Sequence, residues 1–380
     1  MSTRDGSEQS TAPLTYDAVG VDTHGEEDSL RELGKWVEKT FPLNPAVPLL
    51  ALGYFANVLK LSAELGLAIS TDGVGTKLLI AQELGKYDTV GIDCIAMNAN
   101  DILCVGARPI SMVDYIAVQR ADPAFLGEIG KGLFEGARQA GINIPGGEIA
   151  QVREMLHGHR DGYAFDLVGT CVGTVHPDHL IVGNGIRPGD LVVGIASSGV
   201  HSNGFTLARR ALFGEAQLRL TDTLPELGRP LGEELLVPTN IYVPEVVQML
   251  EEAVPIKALI HVTSDGFLNL LRVTTPAVGY VIEKPLAPPP IFSVIQRCGK
   301  LDDAEMFRVY NMGTGFCVVS DPAHAHRVVD IAQAHGRTAA VIGYTVHDPQ
   351  QRVWIPRHQL VGRESSFERT DESAPSYPAR

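Results

Sequence analysis

Apolar positions recur along this chain at spacings that switch between strand and helix. Residues 67–71 form a short apolar run that enters a glycine turn, and the run predicts a strand. Over residues 91–105, Ile92, Ile95, Ala96, Ala99, Ile102 and Leu103 fall at helical spacing. Residues 110–118 are rich in β-branched side chains and read as a strand, 123–140 as a helix and 164–175 as a strand. A helix is also expected over 29–40. The pattern then breaks. His176-Pro177-Asp178 and the run from Gly183 to Asp190 are dense in turn formers, which places a domain boundary there. Beyond it the apolar runs predict strands at 191–196, 256–262, 277–282, 316–319 and 339–344. Helices are expected at 205–213, 243–252, 291–298 and 323–334. The fold class is therefore α/β of the α+β type, with two mixed α/β domains over residues 15–176 and 177–363. The polar ends, 1–14 and 364–380, are expected to be disordered. No internal repeat with the period of a solenoid or propeller is visible.

Composition narrows the class. A chain of 380 residues that is 44% hydrophobic, 20% charged and 6% aromatic fits a globular enzyme with two medium cores. A net charge of −14 argues against a nucleic-acid binder, which needs a basic face. It leaves room for a phosphorylated small substrate, because a local lysine and a bound metal can reverse the field at one site. The five cysteines are widely spaced and form no CxxC pair, so neither a zinc site nor a disulfide framework is indicated. A reduced, cytoplasmic setting is the simplest expectation. No apolar run approaches the roughly 20 residues of a membrane span.

Candidate chemistry sits mainly in the turns. Asp72-Gly73-Val74-Gly75-Thr76-Lys77 lies between a strand and a helix. Its glycines let backbone N–H groups approach a ligand, and the helix start favours anions. Asp72 would need a cation such as Mg²⁺ between itself and a phosphate, and Lys77 can neutralise a terminal phosphate. The same pattern is equally that of a capped strand–turn–helix, and the Walker A spacing is absent. Asp93 and Asn100, seven residues apart on the expected helix, share a face, and Asp101 lies close enough to serve a neighbouring site. Glu148 follows Gly146-Gly147 at an expected strand end, where an ordinary turn is the competing reading. Ser197-Ser198-Gly199-Val200-His201-Ser202-Asn203-Gly204 is a loop of small polar residues that can cradle phosphate, with His201 as acid, base or oxyanion stabiliser. The competing reading there is a helix cap by Ser202 or Asn203. No Gly-x-Ser-x-Gly elbow supports a hydrolase. Asn311-Met312-Gly313-Thr314-Gly315 permits close approach into the following strand.

In this order these segments resemble the phosphoribosylformylglycinamidine cyclo-ligase (aminoimidazole ribonucleotide synthetase) family, from about Leu14 to about Ile355. LTYDAVGVD, STDGVGTKL, GIDCIAMNANDILCVGARP, GGE, FDLVGTCVG, SSGVHSNGFTL, LLVPTNIYV and PPPIFSVIQRCGKLDDAEMFRVYNMGTGF carry the resemblance. It implies two α/β domains, a homodimer formed through the sheet of the N-terminal domain, and ATP-dependent closure of an imidazole ring on formylglycinamidine ribonucleotide. It further implies ATP and Mg²⁺ as cofactors, no nucleic acid and no membrane. Asp72, Asp101 and Glu148 become metal ligands. Asp72, Gly73, Gly75, Thr76, Lys77, Asp101, Asn203 and Gly204 become nucleotide contacts. Asp72, Lys77 and His201 become the catalytic set. The chain departs from the family's usual sequence at Gln151, where a second acid is expected, and at Asn240 and Pro244, where two cations are expected. Asp265 stands where a glycine is usual. These departures keep two alternatives open: a relative that phosphorylates a different amide or carboxyl group, and a non-catalytic nucleotide-binding dimer. A selenophosphate synthetase is disfavoured, because no cysteine precedes Cys94.

Overall fold

The computed structural model describes residues 14–273 and 275–378. The polar start, residues 1–13, lies outside them. Asp22 caps the first helix, its carboxylate accepting from Gly25 N at 2.8 Å, so α1 spans Thr23–Val37 rather than the expected 29–40. The first sheet is built from β1 (Asn57–Lys60), β2 (Gly66–Gly73), β3 (Arg108–Val118), β4 (Gly147–Gln151) and β5 (Phe165–Val175). Their order is β1-β2-β5-β3-β4, antiparallel except for the β3/β4 pair. Between them run α2 (Lys77–Leu84), α3 (Val90–Leu103) and α4 (Pro123–Ala140). Helix α3 lies across one sheet face and covers Ala68, Met112, Leu167 and Cys171, all buried. Helix α4 packs on α3 through glycines: a Cβ on Gly132 would sit 2.6 Å from Asp88 O and 3.0 Å from Gly91 N. Among the described residues no helix covers the other sheet face. Val113 and Tyr115 there are 44% and 43% exposed, beside half-buried Ile69, Val168 and Val172.

The second domain follows the turn-dense break. Its strands are β6 (Leu191–Ala196), β7 (Ile256–His261), β8 (Val278–Val281), β9 (Thr314–Ser320), β10 (Ala339–His347), β11 (Val353–Ile355), β12 (Leu360–Arg363) and β13 (Ser366–Arg369). They form one sheet in the order β13-β12-β11-β8-β10-β6-β9-β7. Strand β9, inside the sheet, is buried along its whole length, which is why its sequence TGFCVVS does not alternate. The helices are α5 (Phe205–Arg209), α6 (Leu231–Leu235), α7 (Val243–Glu251), α8 (Pro290–Gly299), α9 (Asp303–Val309) and α10 (Ala325–Ala334). Helix α5 does not continue as an α-helix to residue 213; it widens into a π-turn over Arg210–Glu215. The tail from 364 also differs from the expected disorder. Phe367 on β13 is buried, and Tyr377 donates its hydroxyl to Gly189 O at 3.0 Å. Two aromatic anchors in a polar stretch suffice to hold it to the sheet.

Candidate active site

The two domains meet where α3 docks on residues 237–242, and the expected site residues lie along that seam. Asp72 ends β2. Asn98 of α3 holds its backbone, accepting from Asp72 N at 2.9 Å and donating to Asp72 O at 3.1 Å. The carboxylate accepts from Gly73 N at 2.7 Å. Burial, reinforced by the nearby Asp101 carboxylate, pushes the Asp72 pKa up to about 6. Asp101 is itself fixed by His261, whose Nδ1 lies 2.9 Å from Oδ1. His261 is fully buried at the end of β7, and its Nε2 lies 3.4 Å from Asn100 Nδ2. With Nε2 accepting from the amide, Nδ1 carries the proton and donates to Asp101. Two carboxylates thus converge with too little positive charge between them. One or two carboxylates completed by phosphate oxygens and water is the usual protein share of a Mg²⁺ site, so the donor set fits that ion. Among the described residues no cluster of three or more ligating side chains exists.

Glu148 does not join this pair. Asp72 lies in register with Gly169, which pairs with Asp114, which pairs with Gly147. Glu148 is one residue further along β4 and points to the opposite sheet face. Three strand spacings, about 14 Å, separate β2 from β4. Within one chain Asp72 and Asp101 are therefore gathered and Glu148 is not. Asp114, which sequence reasoning passed over, lies in the cross-strand row of Asp72 and Gly169.

Lys77 also departs from expectation. Its side chain is fully buried, and Nζ donates to Asp93 Oδ1 at 2.9 Å, His201 O at 3.0 Å and Val237 O at 2.7 Å. Three acceptors match the three protons of an ammonium, which leaves no donor for phosphate. Burial pulls its pKa down and the Asp93 carboxylate pulls it back. Asp93 Oδ1 accepts also from Thr239 N and Thr239 Oγ1, each at 2.7 Å. Asn100, on the same face of α3, donates to Asn240 O and accepts from Tyr242 N, both at 2.9 Å. The shared face of Asp93 and Asn100 is thus the surface that clamps the second domain.

The loop after β6 faces this clamp. His201 sits at φ 68 and is 3% exposed. Its Nε2 accepts from Ser198 N at 3.2 Å, while Nδ1 has no partner. Burial first, then the charges of His261, Lys77 and Arg337, hold its pKa well below the ordinary imidazole value. His201 is therefore neutral, with an unsatisfied Nδ1–H. Asn203 Oδ1 is likewise buried without a partner. Asn311 braces the loop by donating to Gly199 O at 2.9 Å, and Gly313 O accepts from Ser197 N at 3.0 Å. Tyr310 donates to Gly204 O at 3.1 Å. Thr76 Oγ1 meets Thr206 Oγ1 at 3.0 Å and joins the Asp72–Lys77 turn to the start of α5.

The family models that match this chain are "AIR synthase related protein, N-terminal domain" over residues 53–175 and "AIR synthase related protein, C-terminal domain" over residues 187–356. A phosphoribosylformylglycinamidine cyclo-ligase of Methanocaldococcus jannaschii is 42% identical over 334 residues, covering 88% of this chain and 92% of the relative. The protein of that name from Methanothermobacter thermautotrophicus is 43% identical over 318 residues, covering 84% and 91%. The chain belongs to the AIR synthase family. Family architecture recurs at low identity in a thiamine-monophosphate kinase from Stenotrophomonas maltophilia. There the TM-score is 0.56 at 20% identity, over 86% of this chain and 95% of the neighbour. T. maritima PurL complexed with AMPPCP shares the fold with a TM-score of 0.52 at 17% identity, over 79% of this chain and 44% of that one.

The positions where this family member departs from the usual sequence have local partners. Asn240 Oδ1 accepts from Arg337 Nη1 at 2.8 Å, so a guanidinium from the loop before β10 stands beside the site of the missing cation. Asp265, at φ 70, is paired with Arg272 at 2.9 Å. Pro244 lies in the first turn of α7, where proline is favoured. Gln151 accepts from Ala121 N at 3.3 Å on the edge strand. Asn98, His261 and Arg337 were missed by sequence reasoning. Of these only His261, a polar residue ending the apolar run KALIH before a turn, carried a local signal.

Proposed function

We propose that this chain closes the imidazole ring of formylglycinamidine ribonucleotide, with ATP becoming ADP and phosphate. The observation that carries the reading is the paired Asp72 and Asp101, in a chain about 42% identical to named cyclo-ligases over nearly its whole length. The formyl oxygen is a poor leaving group. Transfer of the γ-phosphoryl group to that oxygen releases ADP. The amidine nitrogen then attacks the formyl carbon, gives up its proton, and phosphate departs with the oxygen. Both steps are served by positioning and charge neutralisation rather than by a covalent protein intermediate.

Asp72 and Asp101 would hold Mg²⁺, which supplies charge neutralisation to the polyphosphate. Gly73, Gly75 and Thr76 present backbone and hydroxyl groups to the nucleotide, and Asn203 and Gly204 approach from the facing loop. His201, neutral and with a free Nδ1–H, donates to the oxygen that takes up the phosphoryl group. Lys77 acts as a positioning residue, because it ties the Asp72 turn to the His201 backbone. The four departures from the usual sequence are locally satisfied, so none favours a different substrate.

Two further readings belong here. The uncovered sheet face with Val113 and Tyr115 is the surface through which the chain pairs with its twin, and Glu148 points to that same side. The setting is the reducing cytoplasm, consistent with five unpaired cysteines. No helix among the described residues is long and apolar enough to cross a membrane. Complementation of a purine auxotroph blocked at ring closure tests the proposal, with Asp72→Asn as the control. Growth with the native chain and none with the variant is expected. Failure of well-expressed native protein to complement would sink it.

A further inference from the structure

Four separate stretches of chain converge on a cavity of about 830 Å³ beside the Asp72–Lys77 turn. Val19 comes from the segment before α1, Glu83 from the end of α2, and His159 from the loop before β5. The rest of the wall is α5, the π-turn that follows it, and Leu218 and Arg219 just beyond. Three arginines, Arg209, Arg210 and Arg219, face one carboxylate, Glu83, in this lining. In a chain of net charge −14, cations outnumber carboxylates along this lining.

The three arginines are not equivalent. Arg210 pairs with Glu215 at 3.2 Å and Arg219 with Asp222 at 2.9 Å, and both are well exposed. Arg209 is half-buried, and its Nη2 lies 2.8 Å from an imidazole nitrogen, His159 Nε2. A guanidinium always carries its proton, so this imidazole nitrogen accepts and contributes no negative charge. Partial burial pulls the Arg209 pKa down, against a weaker pull from Glu83. A partly desolvated cation whose hydrogen-bond acceptor is uncharged is under-neutralised, and an entering anion relieves it. The π-turn at Arg210–Glu215 interrupts the regular helix at the cavity wall, a distortion that recurs at functional sites.

Position selects the anion. Thr206 lines the cavity, and its hydroxyl touches that of Thr76, so the cavity opens at the end of the nucleotide turn. A ribosyl substrate carries its phosphate at the end remote from the amide that reacts. We propose that this cavity binds the 5′-phosphate of the phosphoribosyl substrate, with Arg209 as its central contact and Arg210 and Arg219, each held by a carboxylate, at its rim. The proposal rests on the ring-closure reading for the identity of the substrate. The ligand chemistry is that of any sugar phosphomonoester dianion, for which a planar two-pronged donor is suited.

Calorimetric titration of the full chain with ribose 5-phosphate tests the site apart from turnover, with MgADP binding as the control for folding. The native chain should bind ribose 5-phosphate. Arg209→Gln should weaken that binding at least tenfold and leave MgADP binding within twofold, while Arg209→Lys falls between. No binding by the native chain, or equal affinity in Arg209→Gln, overturns the proposal. If Arg209→Gln does not fold, Arg219→Gln on the exposed rim replaces it. A threefold or greater loss then supports the site and an unchanged affinity overturns it. Ribose 5-phosphate binding without ring closure would sink the proposed function and leave the phosphate site standing.

Discussion

Replacing Lys77 by methionine separates an interdomain clamp from a phosphate contact. The substitution keeps the length of the side chain and removes the ammonium. Asp93 then loses its cationic partner within a fully buried environment, and the carbonyls of His201 and Val237 each lose a donor. Breaking a buried ion pair from one side costs about 3–5 kcal/mol. Asp93 keeps two hydrogen bonds from Thr239, which places the expected loss toward the lower end of that range. A second substitution, Asp93→Leu, removes the stranded charge, so the double variant should recover part of the loss. Guanidinium denaturation of the native, two single and double variants yields the coupling energy. The activity of Lys77→Met should fall through kcat, since His201 is displaced, with little change in the KM for ATP. A loss of stability below about 1 kcal/mol, together with a large rise in KM for ATP, would refute the clamp and restore Lys77 as a phosphate contact.

Asp72→Asn removes the repulsion with Asp101 and should raise the melting temperature while abolishing ADP formation; a lower melting temperature would contradict the raised pKa. That raised pKa also has a sign. The fold favours protonated Asp72, so its contribution to stability is complete below the ordinary carboxylate value of 3.8 and is lost as pH rises from there through about 6. Mg²⁺-dependent nucleotide binding should run the opposite way and weaken below about pH 6, as read by calorimetry. His261→Ala frees the Asp101 carboxylate and should weaken Mg²⁺-dependent nucleotide binding by about 10–100-fold, with metal-free binding unchanged; equal loss in both would make His261 merely structural. Gly315→Ala drives a Cβ into the Tyr242 hydroxyl and to 2.6 Å from His201 Cε1. A loss of about 1–3 kcal/mol and of kcat is expected in denaturation and turnover assays. Val113→Asp with Tyr115→Lys charges the uncovered sheet face and should give a monomer in analytical ultracentrifugation; an unchanged sedimentation coefficient would move the interface elsewhere.

The elements that could be read in advance are those whose signals are local. Helix α4 starts at Pro123 behind the capping Asp122 and stops at Gly141, which is left-handed at φ 65, so both ends were visible in the sequence. Around Glu148 the sequence leaves a strand end and an ordinary turn both open, because β4, as an edge strand, is largely exposed and carries no apolar alternation. The polar average of the tail predicts disorder, and one buried phenylalanine, Phe367, does not alter that average. In the site, the turn at Asp72 and the loop at His201 stood out through their glycines and small polar residues. The role of Lys77 did not, because its acceptors lie 16, 124 and 160 residues away in the chain. His261 gains its role only when domain docking brings Asp101 to it, and the partners of Arg337, Asn240, Ile241 and Glu245, lie 97, 96 and 92 residues away within its own domain. Glu148 was assigned by a motif whose side-chain direction depends on strand register, which no local pattern displays.

Oxygen transfer tests the central claim most directly. Formylglycinamidine ribonucleotide carrying ¹⁸O in its formyl group is incubated with the native chain, ATP and Mg²⁺, and the released phosphate is analysed by mass spectrometry. Activation of the formyl oxygen by ATP predicts one ¹⁸O in each phosphate, formed in step with ADP and with the closed ring. Unlabelled phosphate, or ADP formed without loss of the formyl oxygen, would contradict it.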